Sequence, residues 1–242
     1  MQKTLNRYAQ VNLRPHKMSL FLLGTVVLSA GGHILVHLVG KFIALHRPPL
    51  LGVFRFFHMG FEGNLPTYFS ALNLLLAAGL CGLISFHEST TKKNLFFHWL
   101  GMCGLLLFMS FDEASGIHDR IVGPISIYFM GRGEGIMYYR WYLFFIPIVF
   151  AVSLIYIPFL KRLPLFFSSR FILAGFVFLS GSIGMEMVES ILTSQGHSVG
   201  VSILLEETLE MLAVVILIHT LLLYIAKANY TLKLQVSGNP HR

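Results

Sequence analysis

Charged residues are scarce in this chain of 242 residues, since they make up only 12% of it. A typical soluble domain carries roughly 25% charged residues. Cysteine is scarcer still: Cys81 and Cys103 both fall inside apolar runs. Two isolated cysteines exclude a disulfide-stapled domain and a cysteine-based zinc site. What the chain does have is a hydrophobic content of 55%, which indicates an integral membrane protein.

The apolar residues are gathered into six segments, each close to the roughly 20 residues that a membrane-spanning helix needs. The connections between them are short, so no soluble domain is expected. We therefore predict an all-α bundle of six transmembrane helices that forms one domain over residues 1–242. The predicted spans are about 18–40, 66–87, 95–114, 141–160, 170–192 and 203–227.

Lysines and arginines set the predicted orientation of the bundle. Twelve of the 18 lie in the N-terminal segment, the second and fourth loops and the C-terminal tail, and six lie in the other loops. Because cytoplasmic segments carry the excess of basic residues, both termini are predicted to be cytoplasmic. The basic start followed by an apolar run is similar to a signal peptide, but the run is long, so we expect a retained first helix.

The formal net charge of +7 comes from short basic clusters scattered between the apolar segments. That distribution is typical of topology signals and of contact with anionic lipid headgroups. It does not resemble a nucleic-acid surface. We therefore expect membrane lipids as partners, no nucleic acid, and a location in the bacterial cytoplasmic (inner) membrane.

Acidic residues stand at the ends of apolar spans, where a lipid-facing helix should stay neutral. In the predicted orientation, span three ends outside with two acids, span five carries two near its outer end, and span six begins with three. Polar groups of spans one and two lie at the same depth. The predicted outward-facing site comprises His33, His37, Glu62, Asn64, Asp112, Glu113, His118, Asp119, Glu186, Glu189, Glu206, Glu207 and Glu210.

Carboxylates this close together cannot all stay ionised in a low-dielectric site. Arg55, Arg120 and Arg140 are too few to neutralise them, so shared protons or a divalent metal are expected. Carboxylates and imidazoles suit Zn, Fe or Mn. Glu113 or Glu207 is the predicted general base for a metal-bound water. The predicted metal ligands are His33, His37, Asp112, His118, Glu186 and Glu210, with Glu62, Asn64, Asp119, Glu189 and Glu206 completing the polar cluster.

Simpler interpretations exist for the same residues. His33 and His37 share a helical face at i,i+4 spacing, which suits a metal, but they could instead donate hydrogen bonds to neighbouring groups. Asp112 and Glu113 could form a helix end solvated by water. The helix dipole also stabilises acids in the first turn of span six. This interpretation explains Glu210 poorly, because Glu210 lies deeper in the span.

Four segments resemble an uncharacterised family of bacterial polytopic membrane proteins. They are Glu62-Gly-Asn-Leu-Pro-Thr-Tyr-Phe-Ser70, Phe111-Asp-Glu-Ala-Ser-Gly-Ile-His-Asp119, Gly184-Met-Glu-Met187 and Glu206-Glu-Thr-Leu-Glu-Met211. The first two carry the patterns E-x-N-L-P-T and D-E-A-x-x-I-H-D. This resemblance implies the multi-pass topology, but it does not indicate which activity the protein has. A more distant similarity, to alkaline ceramidases and adiponectin receptors, implies by analogy how a zinc site could hydrolyse a lipid. In those seven-helix proteins, however, the His-x-x-x-His pair lies on the last helix, and here it lies on the first.

The predicted function is a metal-dependent hydrolase that acts on a lipid or amphiphile at the outer leaflet. The alternative is a transporter coupled to protons or to a divalent cation. A transport path should also leave polar groups in the inner half, where His98, His219 and a few hydroxyl groups are the candidates. A further alternative is a non-catalytic metal or pH sensor, or an assembly factor.

Overall fold

The structure is a computed structural model that describes residues 14–46, 51–61, 63–90 and 95–228. These residues are overwhelmingly helical and contain no strand. Five of the described helices are long and apolar enough to cross a membrane, and a bent pair makes a sixth span if it is counted as one. The prediction of an all-α membrane bundle is therefore confirmed. Glu62 lies outside the described residues.

The α-helices follow one another along the chain with short connections. They are α1 (Pro15–His46), α2 (Leu51–Phe57), α3 (Leu65–Thr90), α4 (Phe96–Ser115), α5 (Gly123–Met130), α6 (Tyr142–Arg162), α7 (Leu165–Leu179), α8 (Glu186–Ser194) and α9 (Gly200–Lys227). Wide π-helical turns, His118–Val122 and Ser180–Met185, precede α5 and α8. Because α7 and α8 continue through such a turn, they form one long span.

Helix α3 begins where its sequence predicts. Asn64 Oδ1 accepts a hydrogen bond from the Thr67 N–H at 2.9 Å, so Asn64 caps the first turn. Pro66 lies in that turn, where a missing N–H removes no helical hydrogen bond. Asn64 Nδ2 also donates to the carbonyl oxygen of His58 at 2.6 Å. The Asn-Leu-Pro-Thr motif therefore fixes a helix start and the turn before it.

The third span bends at its acidic end. Gly116 has φ 62°, and its N–H donates to the Asp112 carbonyl oxygen at 2.6 Å. Glycine adopts this left-handed conformation without strain, so it ends α4 cleanly. The chain then turns by 69° into the segment that contains α5. Span three therefore agrees with the prediction of 95–114, whereas α5 lies in a region that was predicted to be a loop.

Helix α9 is the centre of the bundle, since it packs against α1, α3 and α7. Its inner face buries Met211, Val214, Ile218 and Leu221. In contrast, α6 leaves most of its apolar surface exposed, and only 6% of its most apolar stretch is buried. Lipid contacts such a surface as favourably as another helix would.

Aromatic rings join four helices at the end of the bundle where α9 finishes. Trp99 of α4 is fully buried. Its ring centroid lies 4.9 Å from that of Phe159, 5.1 Å from that of Tyr224 and 5.8 Å from that of Phe171. Edge-to-face and tilted arrangements of this kind are favourable. We call Trp99, Phe159, Phe171 and Tyr224 the aromatic cluster.

Candidate functional site

A cavity of about 510 Å³ lies at the opposite end of the bundle, where α4 ends and α9 begins. Its walls come from the turn before α3, the bend after α4, the start of α6, helix α8 and the first turns of α9. His118 and Arg140 contribute to the lining. The acidic groups of spans three, five and six therefore meet at one end of the bundle. The carboxylates that line the cavity are Glu113, Asp119, Glu186, Glu189, Glu206 and Glu207.

Three of these carboxylates approach one another closely. One oxygen atom from each of Glu186, Glu189 and Glu206 lies within 4.8 Å of the others. Glu189 is 6% exposed, and its Oε1 has no hydrogen-bond partner among the described residues. A buried oxygen without a partner is unfavourable, although the Glu189 side chain also has hydrogen bonds with Glu206 and Ser202. We call Glu186, Glu189 and Glu206 the carboxylate triad.

The local fold brings Glu186 and Glu189 of α8 close to Glu206 of α9. The π-helical turn Ser180–Met185 leads directly into Glu186, and such turns are frequent at functional sites. Gly181 in this turn faces α9. A Cβ atom at Gly181 would lie 2.9 Å from the Glu206 carbonyl oxygen and 3.0 Å from Glu210 Cγ. Because Gly181 has no side chain, this turn can approach α9 closely beside Glu206 and Glu210.

Asp112 holds His118 in a fixed orientation beyond the bend. The His118 Nδ1–H donates to Asp112 Oδ2 at 2.9 Å, and the His118 backbone N–H donates to Asp112 Oδ1 at 3.0 Å. His118 Nε2 then lies 3.7 Å from Asp119 Oδ1. A histidine that is fixed at one nitrogen by a carboxylate is suited to metal binding or proton transfer through the other nitrogen.

Trp141, which the sequence analysis did not single out, belongs to the site. Its Nε1–H donates to Glu186 Oε1 at 2.8 Å, and its ring centroid lies 5.0 Å from that of His118. It therefore connects the carboxylate triad to the fixed histidine. An aromatic residue at the start of an apolar span is typical of an interfacial anchor. No local signal distinguishes Trp141 from such an anchor, because its partner stands 45 residues later.

The loop that carries Trp141 is tied to α8. The Tyr139 N–H donates to Ser190 Oγ at 3.0 Å, and the Ser190 hydroxyl donates to the Gly135 carbonyl oxygen at 3.0 Å. Burial raises the pKa of Tyr139, and the charges of Glu186 and Glu189 raise this pKa further, although a hydrogen bond with Thr193 opposes them. The Tyr139 hydroxyl therefore stays protonated near neutral pH.

The histidines of α1 lie at the same end of the bundle but make other contacts. His33 is 1% exposed; its Nδ1 accepts the Met59 N–H at 3.0 Å, and its Nε2 lies 3.3 Å from the Gly200 carbonyl oxygen. The ring of His37 stacks on that of His33 at 6.2 Å. Neither histidine is among the described residues that line the cavity. A metal-binding role for His33 and His37 stays a prediction.

Two further predicted residues stand at the border of the cavity. Glu210 interacts electrostatically with Glu207 and Glu113, one turn deeper than the carboxylate triad. Arg140 lines the cavity, but its guanidinium group donates to the backbone carbonyl oxygens of Met130 and Met137, the latter at 3.2 Å. The lining thus carries six carboxylates beside this one arginine among the described residues.

Comparison with known proteins identifies a family. The family described as Domain of unknown function (DUF8692) matches residues 19–225. The chain belongs to this family. The DUF8692 match extends from α1 into the last turn of α9, so it contains the whole cavity. The expectation of an uncharacterised family is confirmed. No curated protein and no solved structure matches this DUF8692 chain. The two sequence patterns and the ceramidase analogy stay predictions.

Proposed function

We propose that the protein is a membrane-embedded hydrolase that holds a divalent cation in its carboxylate triad and acts on a lipid or amphiphile. One observation carries this proposal: Glu186, Glu189 and Glu206 converge within 4.8 Å, and Glu189 Oε1 is buried without a partner in the described residues. Three carboxylate oxygens with an imidazole close by suit Zn, Fe or Mn.

The neighbouring residues supply the remaining chemistry of a hydrolase. A bound divalent cation lowers the pKa of a water molecule toward neutrality. Glu207, which interacts electrostatically with Glu113 and His118, is the proposed general base. Asp112 orients His118, and Trp141 orients Glu186 through its N–H. His118 can then donate a proton to a leaving group through Nε2.

The shape of the cavity favours an amphiphilic substrate. One wall is acidic, whereas another is formed by Met59, Phe61, Ile127 and Ile203. Phe61 and Ile127 are 42% and 37% exposed, so this apolar wall is accessible to a ligand. An acyl chain can lie along it while a polar headgroup reaches the carboxylate triad. In the predicted orientation, that headgroup comes from the outer leaflet.

The inner part of α9 supports a hydrolase over a transporter. Val214, Ile218 and Leu221 continue the helical face of Glu206 and Glu210 toward the aromatic cluster, and all three are buried and apolar. A transported cation would need polar groups along this face. On this face of α9, the carboxyl groups are therefore confined to the N-terminal part of the helix.

Metal content tests the proposal directly. Protein purified in detergent without chelator is expected to carry Zn, Fe or Mn in fixed stoichiometry, measured by inductively coupled plasma mass spectrometry. Glu189→Gln and Glu206→Gln each remove a charged ligand and should abolish this content. Glu134→Gln is the matched control, because Glu134 is exposed and lies outside the cavity lining. Metal-free wild-type protein that takes up none of the three metals would contradict the proposal.

A second measurement separates hydrolysis from transport. Proteoliposomes that contain the wild-type protein and mixed membrane lipids should release a hydrolysis product, which mass spectrometry detects. Glu207→Gln should retain the metal and lose this product. Gradient-driven metal uptake without lipid turnover would instead identify a transporter.

A further inference from the structure

A second polar cluster lies at the end of the bundle opposite the cavity. It is formed by His16 of α1, Arg170 of α7 and His219 of α9, which we call the basic cluster. The ring centroids of His16 and His219 are 5.2 Å apart, and both Arg170 and His16 interact electrostatically with His219. His219 Nδ1 lies 2.7 Å from Ser19 Oγ, which orients its ring. Three helices thus bring one guanidinium group and two imidazole rings to one point.

Arg170 is the unusual member, because it is the sixth residue of the apolar helix α7. An arginine near the end of a membrane span reaches the level of the lipid headgroups, where it can contact an anionic lipid. The ion pairs among the described residues join His118 to Asp112 and Asp119, and none involves Arg170. Its guanidinium group instead lies over the Phe166 ring, 4.4 Å from the centroid. Stacking of this kind leaves the edge N–H groups of Arg170 available for an anion.

We propose that the basic cluster binds the phosphate headgroup of an anionic phospholipid. A guanidinium group matches two phosphate oxygens, and His16 lies in the first turn of α1, an end of the helix that favours anions. The exposed residues Arg14 and Lys17 add positive charge at the same helix end. Basic groups at this depth attract anionic lipids.

The apolar surroundings favour a lipid over free phosphate. Leu20 on α1 is 68% exposed, and Phe166 on α7 is 51% exposed, on the two helices that contribute His16 and Arg170. These side chains give the acyl chains of a bound lipid an apolar contact beside its headgroup. The basic cluster and the carboxylate triad lie at opposite ends of α9, so this lipid site is independent of the proposed hydrolase.

Lipid affinity of the detergent-purified full chain tests this site. Native mass spectrometry with added phosphatidylglycerol or phosphatidylcholine should show at least a fivefold preference for phosphatidylglycerol. Arg170→Gln should lower the phosphatidylglycerol affinity about fivefold and leave phosphatidylcholine binding unchanged. Arg162→Gln is the matched control, since Arg162 is exposed near the same end and lies outside the basic cluster.

Circular dichroism would reveal whether Arg170→Gln folds. If it does not, two further variants test the lipid site. Arg170→Lys keeps the charge and should retain most of the affinity, whereas His219→Gln should weaken it. Equal binding of the two lipids by the wild-type protein would overturn the proposal. So would unchanged affinity in a folded Arg170→Gln or His219→Gln variant. Binding of millimolar inorganic phosphate without any lipid preference would also overturn the lipid assignment.

Discussion

The aromatic cluster and the carboxylate triad occupy opposite ends of the bundle, and helix α9 contributes a residue to each. At one end Tyr224 packs against Trp99 among other rings, and the Trp99 indole N–H is itself buried without a hydrogen-bond acceptor in the described residues. At the other end Glu206 lies beside two further carboxylates, one of them with a buried oxygen that has no partner in the described residues. Contacts between rings stabilise the first end, whereas the clustered carboxyl groups of the second end oppose one another when they are ionised.

This difference indicates that one end of the bundle contributes stability and the other end contributes the candidate site. A bundle that is well packed at one end can hold like charges together at the other, where an isolated pair of helices would separate. Functional sites commonly lower stability in this way. The π-helical turn and the left-handed Gly116 occur at the acidic end, where they set the positions of Glu186 and His118.

The largest expected effect comes from opening the aromatic cluster. Trp99→Ala removes a fully buried ring and should lower the free energy of unfolding by about 3–5 kcal/mol. Thermal unfolding in detergent measures it. Phe97→Ala is the matched control, because Phe97 is 79% exposed two residues earlier and should change stability by less than about 0.5 kcal/mol. If Trp99→Ala lowered the free energy of unfolding as little as Phe97→Ala does, this end would not stabilise the bundle.

A smaller effect is expected where the acidic end packs closely. Gly181→Ala places a Cβ atom against the Glu206 carbonyl oxygen, so it should cost about 1–3 kcal/mol of unfolding free energy and weaken metal binding. Gly175→Ala on the preceding helix meets no atom within 4 Å and should be neutral or slightly stabilising. Thermal unfolding and metal titration check both variants. Metal affinity equal to wild type in Gly181→Ala would mean that this close approach does not position the carboxylate triad.

The smallest effect has the opposite sign. In the presence of a chelator, Glu206→Gln removes one of three clustered carboxyl groups, which cannot all be ionised together, and should stabilise the protein by about 1 kcal/mol. With metal added, the ranking should reverse, because only the wild-type protein gains binding free energy. Unfolding temperatures with and without metal measure both states. A variant less stable than the wild type under chelation would refute the idea that these charges oppose one another.

Much of the fold follows from local sequence signals. Asn64 and Pro66 predict the start of α3, and the apolar run before Asp112 predicts α4 to within a residue at each end. Such features depend on a few neighbouring residues and on the length of an apolar run. The gathering of acids at one end also follows, because it needs only the alternating direction of successive spans.

The composition of the site was harder to predict. Glu189 and Glu206 were assigned to the outer polar cluster, yet they form the carboxylate triad with Glu186, and the predicted ligands Asp112 and Glu210 do not belong to it. Helical spacing gives the face of each helix but not the rotation of one helix against another. A π-helical turn changes that rotation, and here one directly precedes Glu186. Asp112 is likewise drawn toward His118 by a bend that spacing does not reveal.

The hydrogen bond between Trp141 and Glu186 has an optical consequence. The chain contains two tryptophans, and each end of the bundle has one of them. The indole N–H of Trp141 contacts a carboxylate of the triad, so its fluorescence depends on the charge of that carboxylate. Trp99 is enclosed by rings at the far end and is insensitive to it. The protein therefore carries its own pair of fluorophores, one reporting on the charge of the carboxylate triad and the other on packing.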